Sequence, residues 1–407
     1  MPSIYLDHAA TTPVAPEVLE AMLPYYRECW GNPSSIHQFG RKASEGVEYG
    51  RIAVAALLNC PPKEVYFTGG GTEADNMAIT GAALAREEKG KHIITSAIEH
   101  HAVSHTLEAL EKRGWEVTTL PVDRDGLVDP EAVRAAIRPD TVLATIMHAN
   151  NEVGVIQPIA EIGAICREQG VWFHTDAVQS VGHIPTRVDE LNVDMLSLSG
   201  HKLYGPKGVG ALYIRRGVRI KPLIYGGGHE RGMRSGTENV PGIVGLGKAA
   251  ELAMAEMDSE ALRQTTLRDR LLDGIVARIP NSHITGHRAR RLPNNASVIV
   301  QYIEGEAMLL RLDVAGIAAS SGSACTSGSL DPSHVLLAMG IRTEYAHGSL
   351  RFSLGRSTTE ADIDYVLEQF PPIVETLRAM SPFRAGDDQC NCLYGCPSEE
   401  TEEAQTH

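Results

Sequence analysis

Long apolar runs are missing from this 407-residue chain. No uninterrupted stretch approaches the ~20 residues that a membrane helix needs, which excludes a membrane-spanning helix. The opening Met1-Pro-Ser-Ile-Tyr-Leu-Asp-His8 has neither the basic segment nor the apolar core of a secretory signal, so a soluble cytoplasmic protein is expected. Positive charge is also short, with 37 Lys and Arg against 51 Asp and Glu and a formal net charge of −14. That balance excludes nucleic acid or an anionic membrane as the main partner, although a local basic cleft remains open. Cysteine is sparse and odd in number: there are seven, three of them crowded into residues 390–407. A secreted disulfide framework is thereby excluded and reduced thiols are the default. Internal repeats are absent as well.

What is present is length and alternation. A chain of this size buries roughly three quarters of its unfolded surface, enough for two domains or one large domain with an appendage. Through the first 255 residues strand-like and helix-like segments alternate, the sign of a mostly parallel sheet wrapped by helices. Val65-Tyr-Phe-Thr68 reads as a strand, Gly69-Gly-Gly71 as a turn and Thr72 onward as a helix start, where glycines and free N–H groups favour a phosphate; a plain strand-to-helix turn is the bland alternative. Further strands end just before polar groups. His100 and His101 follow His92–Thr95, Asn151 follows Val142–Met147, Asp176 and Gln179 follow Val171–His174, and Ser199, His201 and Lys202 follow Met195–Leu198. In open parallel sheets ligands bind beyond the carboxyl ends of the strands, so these residues are expected to face one crevice as an assembled site.

Lys202 sits between two apolar runs and among turn-forming Gly200, Gly205, Pro206, Gly208 and Gly210. A lysine held at a strand mouth suits Schiff-base chemistry, because desolvation lowers its pKa and frees the amine; a solvated loop lysine is the ordinary alternative. Asp176, after the apolar Val171-Trp-Phe173, must reach solvent, cap a helix or find a positive partner, and a protonated pyridine nitrogen would be one. The loop Gly226–Asn239 carries His229, Arg231, Arg234, Ser235 and Thr237 and would close over a phosphate or serve as a surface connection. A helical pattern from Ala249 to Ile279 reads as a long, mostly solvated connector, and a smaller α/β unit runs from His283 to Phe383, with Thr359-Glu-Ala-Asp362 resembling a capping box.

Ser320-Ser-Gly-Ser-Ala-Cys-Thr-Ser-Gly-Ser329 consists of small residues, which suits a reactive Cys325 that must travel; a structural cysteine in a tight turn is the alternative. In His347-Gly-Ser-Leu-Arg-Phe-Ser-Leu-Gly355 the planar fork of Arg351 would take a carboxylate in bidentate fashion or form a structural ion pair.

Together these residues resemble the pyridoxal-phosphate cysteine desulfurases of the NifS/IscS-like kind, within the class V, fold-type I aminotransferase superfamily. The resemblance runs from Ile4 to about Phe383. It rests on Tyr5-Leu-Asp-His-Ala-Ala-Thr-Thr-Pro13, Gly71-Thr-Glu-Ala-Asp-Asn76, Ser197-Leu-Ser-Gly-His-Lys-Leu-Tyr-Gly-Pro-Lys207, Arg234-Ser-Gly-Thr237 and Ser320-Ser-Gly-Ser-Ala-Cys-Thr326 in order. It implies an α/β fold of type I, with a large pyridoxal-phosphate-binding domain (15–255, mostly parallel mixed sheet wrapped by helices) and a smaller α/β C-terminal domain (256–383). An N-terminal segment (1–14) would pack with the small domain, and a mobile cysteine loop would span about 320–332.

By the same resemblance Lys202 would hold the cofactor and move the substrate Cα proton, with His100 stacking on the ring and assisting. Asp176 would hold the pyridine nitrogen and Gln179 the ring oxygen. Gly71, Thr72, Ser199 and His201 would bind the phosphate, joined by Thr237 of the partner subunit in a homodimer. Asn151 and Arg351 would hold the carboxylate of L-cysteine, and Cys325 would take its sulfur as a persulfide, leaving L-alanine. An iron–sulfur scaffold protein would be the sulfur acceptor.

The tail 384–407 departs from the family pattern. It is acidic, expected to be disordered, and carries Cys390, Cys392 and Cys396, three thiols suited to redox chemistry, to an incomplete metal or cluster site, or to sulfur relay. Two rivals share the lysine: a selenocysteine lyase or sulfinate desulfinase that needs less of Cys325, and a catalytically idle scaffold of the same fold.

Overall fold

The computed structural model describes residues 3–321, 332–382 and 393–394. Cys325 and the three tail cysteines Cys390, Cys392 and Cys396 lie outside the described residues. In chain order the strands are β1 (Ile4–Tyr5), β2 (Val65–Thr68), β3 (His92–Ser96), β4 (Glu116–Leu120), β5 (Thr141–Thr145), β6 (Trp172–Asp176), β7 (Met195–Ser199), β8 (Gly210–Ile214), β9 (Ser282–Ile284), β10 (Asn295–Val300), β11 (Ile317–Ala318) and β12 (Ser349–Ser353).

Seven of them form one sheet in the order β2-β8-β7-β6-β5-β3-β4. β3 pairs in parallel with β4 and β5, as do β5 with β6 and β6 with β7, whereas β8 runs antiparallel to both of its neighbours. β2 therefore points the same way as β7, and six strands deliver their carboxyl ends to one edge. β3, β5, β7 and β8 are buried along their whole length, as expected where helices cover both faces. β4, Glu-Val-Thr-Thr-Leu, has an exposed Glu116 and lies at the sheet edge, so its polar pattern hid it from a reading based on apolar runs.

β12, β10 and β9 make a second, antiparallel sheet, and β1 pairs in parallel with β11. The helix Val240–Arg278 joins the two halves. At 39 residues it is about 58 Å long by the usual rise. Its first part, including Ile243, Leu246 and Ala250, is buried in the core beneath the large sheet, while Leu267, Leu271 and Ile275 belong to the core of the small one. The helix thus starts nine residues before the sequence suggests, at an Asn239 cap that accepts from the Gly242 N–H at 3.2 Å, and its glycine-rich opening is core. A Cβ on Gly247 would stand 2.6 Å from the Gly50 Cα, so this helix and Gln38–Leu58 cross with backbones nearly touching. Thr359 and Asp362 cap the helix Glu360–Met380 reciprocally, as their spacing suggests. Among the described residues no helix is long and apolar enough to cross a membrane.

Candidate active site

Lys202 closes the single 3₁₀ turn Gly200–Lys202 that follows β7. Its Nζ donates to the carbonyls of Ala9 at 2.6 Å and Ala10 at 2.7 Å. The N-terminal segment that offers these oxygens is stitched to the same turn: Thr12 N donates to His201 O at 2.9 Å, and Tyr204 N donates to Thr12 Oγ1 at 2.9 Å. From behind, His183 Nε2 donates to Lys202 O at 3.0 Å. Ala9 O also accepts from Gln179 Nε2 at 3.0 Å, so one backbone oxygen joins two of the side chains singled out from sequence.

Asp176 is the last residue of β6, which runs two residues past the end at His174 that the sequence suggests, and it is buried. Its Oδ1 accepts from Val178 N at 2.9 Å. Burial raises its pKa, while His100 and Lys202 pull the other way. His100 caps the helix His101–Glu111, its Nδ1 accepting from Ala102 N at 3.1 Å, which leaves the ring proton on Nε2. Burial lowers the His100 pKa against the pull of Asp176, so the ring is neutral at neutral pH. A buried carboxylate, a neutral imidazole and an amine therefore meet at the ends of β6, β3 and β7.

The turn before the helix Gly71–Arg86 forms a second part of the site. Gly70 stands at φ 152° and offers no side-chain cap, leaving the helix N-terminus open. A Cβ on Gly71 would lie 2.6 Å from Val178 Cγ2, so only glycine lets this turn sit on the segment after β6. The open end faces a cleft lined by Thr72, Asn76, Ser199, His201 and Lys207. N–H groups without an acceptor among the described residues, the helix dipole and a lysine suit an anion there. His201 donates to or accepts from Thr11 Oγ1 at 3.1 Å, and burial with Lys202 and Lys207 beside it pushes its pKa down to about 4. Thr237 is exposed on the segment leading from Arg234 to the long helix.

Arg351, in β12, is buried. Its Nη1 donates to Asn151 O at 2.7 Å and its Nη2 to Asp7 Oδ1 at 3.0 Å, while its buried Nε meets no acceptor among the described residues. The structure thus brings Asn151 and Arg351 together, though through the Asn151 backbone, leaving that side chain out of the bond. Both flanks of the segment that bears Cys325 attach here. Ser320 exchanges backbone hydrogen bonds with Arg351 at 3.1 and 2.7 Å, and on the far side Ser333 Oγ donates to Glu152 Oε2.

Several participants were missed from sequence. Glu99, directly before His100, is buried, with Oε1 accepting from Ser96 Oγ at 2.5 Å and Met147 N at 3.0 Å, and burial pushes its pKa up to about 8. Asp75, buried with His174 Nε2 at 3.6 Å, has its pKa raised by burial and by Asp176. The Glu before the paired histidines would have marked Glu99, whereas Asp75, set between Glu73 and Asn76, reads as an ordinary polar helix residue. The Ala9 and Ala10 carbonyls carry no side-chain signal at all.

The class-V aminotransferase family model matches 4–366. The chain is 57% identical over 380 residues to the cysteine desulfurase IscS of Methanosarcina thermophila, covering 93% of this chain and 94% of that one. It is 55% identical over 381 residues to the cysteine desulfurase IscS of Dictyoglomus turgidum, covering 94% and 97%. Among solved structures a NifS-like protein superposes with a TM-score of 0.87 at 41% identity, over 92% of this chain and 100% of that one.

Proposed function

The chain belongs to the class-V aminotransferase family as a pyridoxal-phosphate-dependent cysteine desulfurase, and from that premise we propose how its own residues divide the work. The residues present fit the cofactor. The uncapped helix end with Ser199, His201 and Lys207 suits a phosphate dianion, the buried Asp176 accepts from one backbone N–H alone among the described residues and suits a pyridinium, and Lys202 supplies an amine. When bound, pyridoxal phosphate supplies an electron sink for the substrate Cα.

Lys202 would hold the cofactor through Nζ and, once released, carry the Cα proton. His100, neutral with its proton on Nε2, would lie against the ring and pass a proton. Asp176 would keep the pyridine nitrogen protonated and Gln179 would hold the ring oxygen. Gly71, Thr72, Ser199 and His201 would form the phosphate cradle. Arg351 would present its unpaired Nε, beside Asn151, to the carboxylate of L-cysteine. Cys325 would attack the substrate sulfur as a thiolate, forming a persulfide and leaving alanine, a displacement that neither a serine nor a fixed thiol could perform.

We extend this reading to assembly. Thr237 of the partner subunit would complete the phosphate site of a homodimer, and an iron–sulfur scaffold would accept the sulfur. The work would be done in the cytoplasm. In domain terms, 1–14 would pack with a small domain of 256–383 against a large domain of 15–255, and 384–407 would form an acidic tail whose thiols serve redox chemistry, the alternatives being metal or cluster binding or sulfur relay. What carries the catalytic reading is Lys202 and Gln179 converging on the single Ala9 carbonyl at the head of the sheet. Incubation with L-cysteine and dithiothreitol tests it: wild type should release sulfide and alanine in equal amounts, and Cys325→Ala should release neither. Sulfide production that survives Cys325→Ala would give that residue no part in the transfer.

A further inference from the structure

The loop 229–237 is fastened down by a pair that the chemistry above does not use. Arg51, on the helix Gln38–Leu58, is 5% exposed and Glu230 is 6% exposed. They meet fork to fork, Arg51 Nη1 to Glu230 Oε2 at 2.9 Å and Nη2 to Oε1 at 2.8 Å. Arg51 Nε donates to Glu48 Oε1 on its own helix at 3.1 Å, and two further bonds tie the pair to the outer edge of β2: Arg51 Nη1 donates to Val65 O at 2.8 Å and Phe67 N donates to Glu230 Oε2 at 2.9 Å. Arg231 adds a third tie there, donating to Val65 O at 2.8 Å with its guanidinium 4.1 Å from the Tyr66 ring centroid.

To make these bonds the loop takes Glu230 to φ 45° and Arg231 to φ 56°, two consecutive non-glycine residues in the left-handed region. Such a conformation persists only where its surroundings over-determine it. Apolar side chains would cover a sheet edge at least as stably as a buried ion pair, so what the pair adds is registry. Registry matters here because β2 runs straight into Gly69–Gly71. Three residues beyond Arg231, Arg234 grips Glu73, Nε to Oε1 at 2.8 Å and Nη2 to Oε2 at 3.1 Å, and that Oε2 also accepts from Gly69 N at 2.9 Å. The loop is therefore tied to both the strand and the turn that build the anion end of the site.

We propose that Arg51 and Glu230 are positioning residues for cofactor retention: they clamp the loop 229–237 to β2 so that Arg234 steadies the glycine turn and Thr237 is presented to a cofactor phosphate. The proposal rests on the phosphate-site reading above. Its test is the rate at which the loaded enzyme loses pyridoxal 5'-phosphate, followed by visible absorption in the presence of alkaline phosphatase, which destroys only released cofactor. The double variant Arg51→Met with Glu230→Gln leaves no unpaired buried charge. It should lose cofactor roughly tenfold faster or more, the weight of one charge-assisted hydrogen bond, while freshly loaded enzyme turns over within about threefold of wild type. Arg234→Gln, which cuts the second tie at a half-buried site, should act in the same direction. A merely structural pair would lower the melting temperature without changing cofactor loss at temperatures where the fold is intact. Loss rates within about twofold of wild type for both variants overturn the clamp. Thr237→Ala separates the two readings: if it speeds loss and the clamp variants do not, the clamp alone is wrong, and if only the clamp variants speed loss, the role of Thr237 is wrong.

Discussion

Arg351→Lys is the sharpest perturbation of substrate recognition. The arginine spans two acceptors at once, Asn151 O at 2.7 Å and Asp7 Oδ1 at 3.0 Å, and keeps a buried Nε free of any acceptor among the described residues. A lysine keeps the charge and can follow Asp7, but a single ammonium cannot hold Asn151 O and Asp7 and also offer a further fixed N–H to a carboxylate. The loss is one charge-assisted hydrogen bond, about 2 kcal/mol or roughly 30-fold in affinity. Because the bond forms to a carboxylate that does not change during reaction, it should appear in KM and spare kcat. The backbone pairing of residue 351 with Ser320 does not involve the side chain, so the flank of the cysteine segment should stay in place. Initial rates of sulfide and alanine release across cysteine concentrations measure both constants. A rise in KM of roughly 30-fold with kcat within about threefold is expected. An unchanged KM, or a collapse of kcat alone, would refute the assignment of Arg351 to the substrate carboxylate.

Three further outcomes follow from the packing and the charges. Glu99 keeps its proton in the fold up to about 8, whereas the unfolded chain releases it near the ordinary glutamate value of 4.5. Between those limits the native state binds more protons, so this group makes stability fall as pH rises and stay level above about 8. Glu99→Gln should remove that slope, and urea midpoints of the two proteins should diverge with rising pH in favour of the variant. Gly247→Ala would set a Cβ 2.6 Å from the Gly50 Cα; overpacking of about 1–3 kcal/mol is expected, read as a lowered urea midpoint with an unchanged slope. Asp176→Asn removes the carboxylate facing the proposed pyridinium, and turnover should fall by about a hundredfold or more if two pKa units of support are lost, while folding stability rises or stays level because a buried carboxylate is gone.

Much of the site was legible because a parallel sheet sends chemistry to strand ends: His100, Asp176, Gln179, Ser199 and Lys202 all stand where apolar runs stop. The capping box at Thr359 and Asp362 was legible because it is local. Asp7, Ala9 and Ala10 were not, since their bonds reach partners some 190 residues or more away and two of them act through backbone oxygens. The buried start of the long helix was hidden by its glycines, which give no apolar periodicity; Gly247 admits the Gly50 backbone, while Gly245 packs against Met22 and Pro206. Glu230 looked like a loop residue because its partner, Arg51, lies on a distant helix.

The central claim is that the Lys202 amine carries the cofactor. Borohydride reduction of the yellow enzyme, proteolysis and peptide mass spectrometry would locate the pyridoxyl group directly. The group is predicted on the peptide containing Lys202, and absent from Lys202→Ala. A label on another lysine, or a chromophore that borohydride leaves unbound to the chain, would contradict the account.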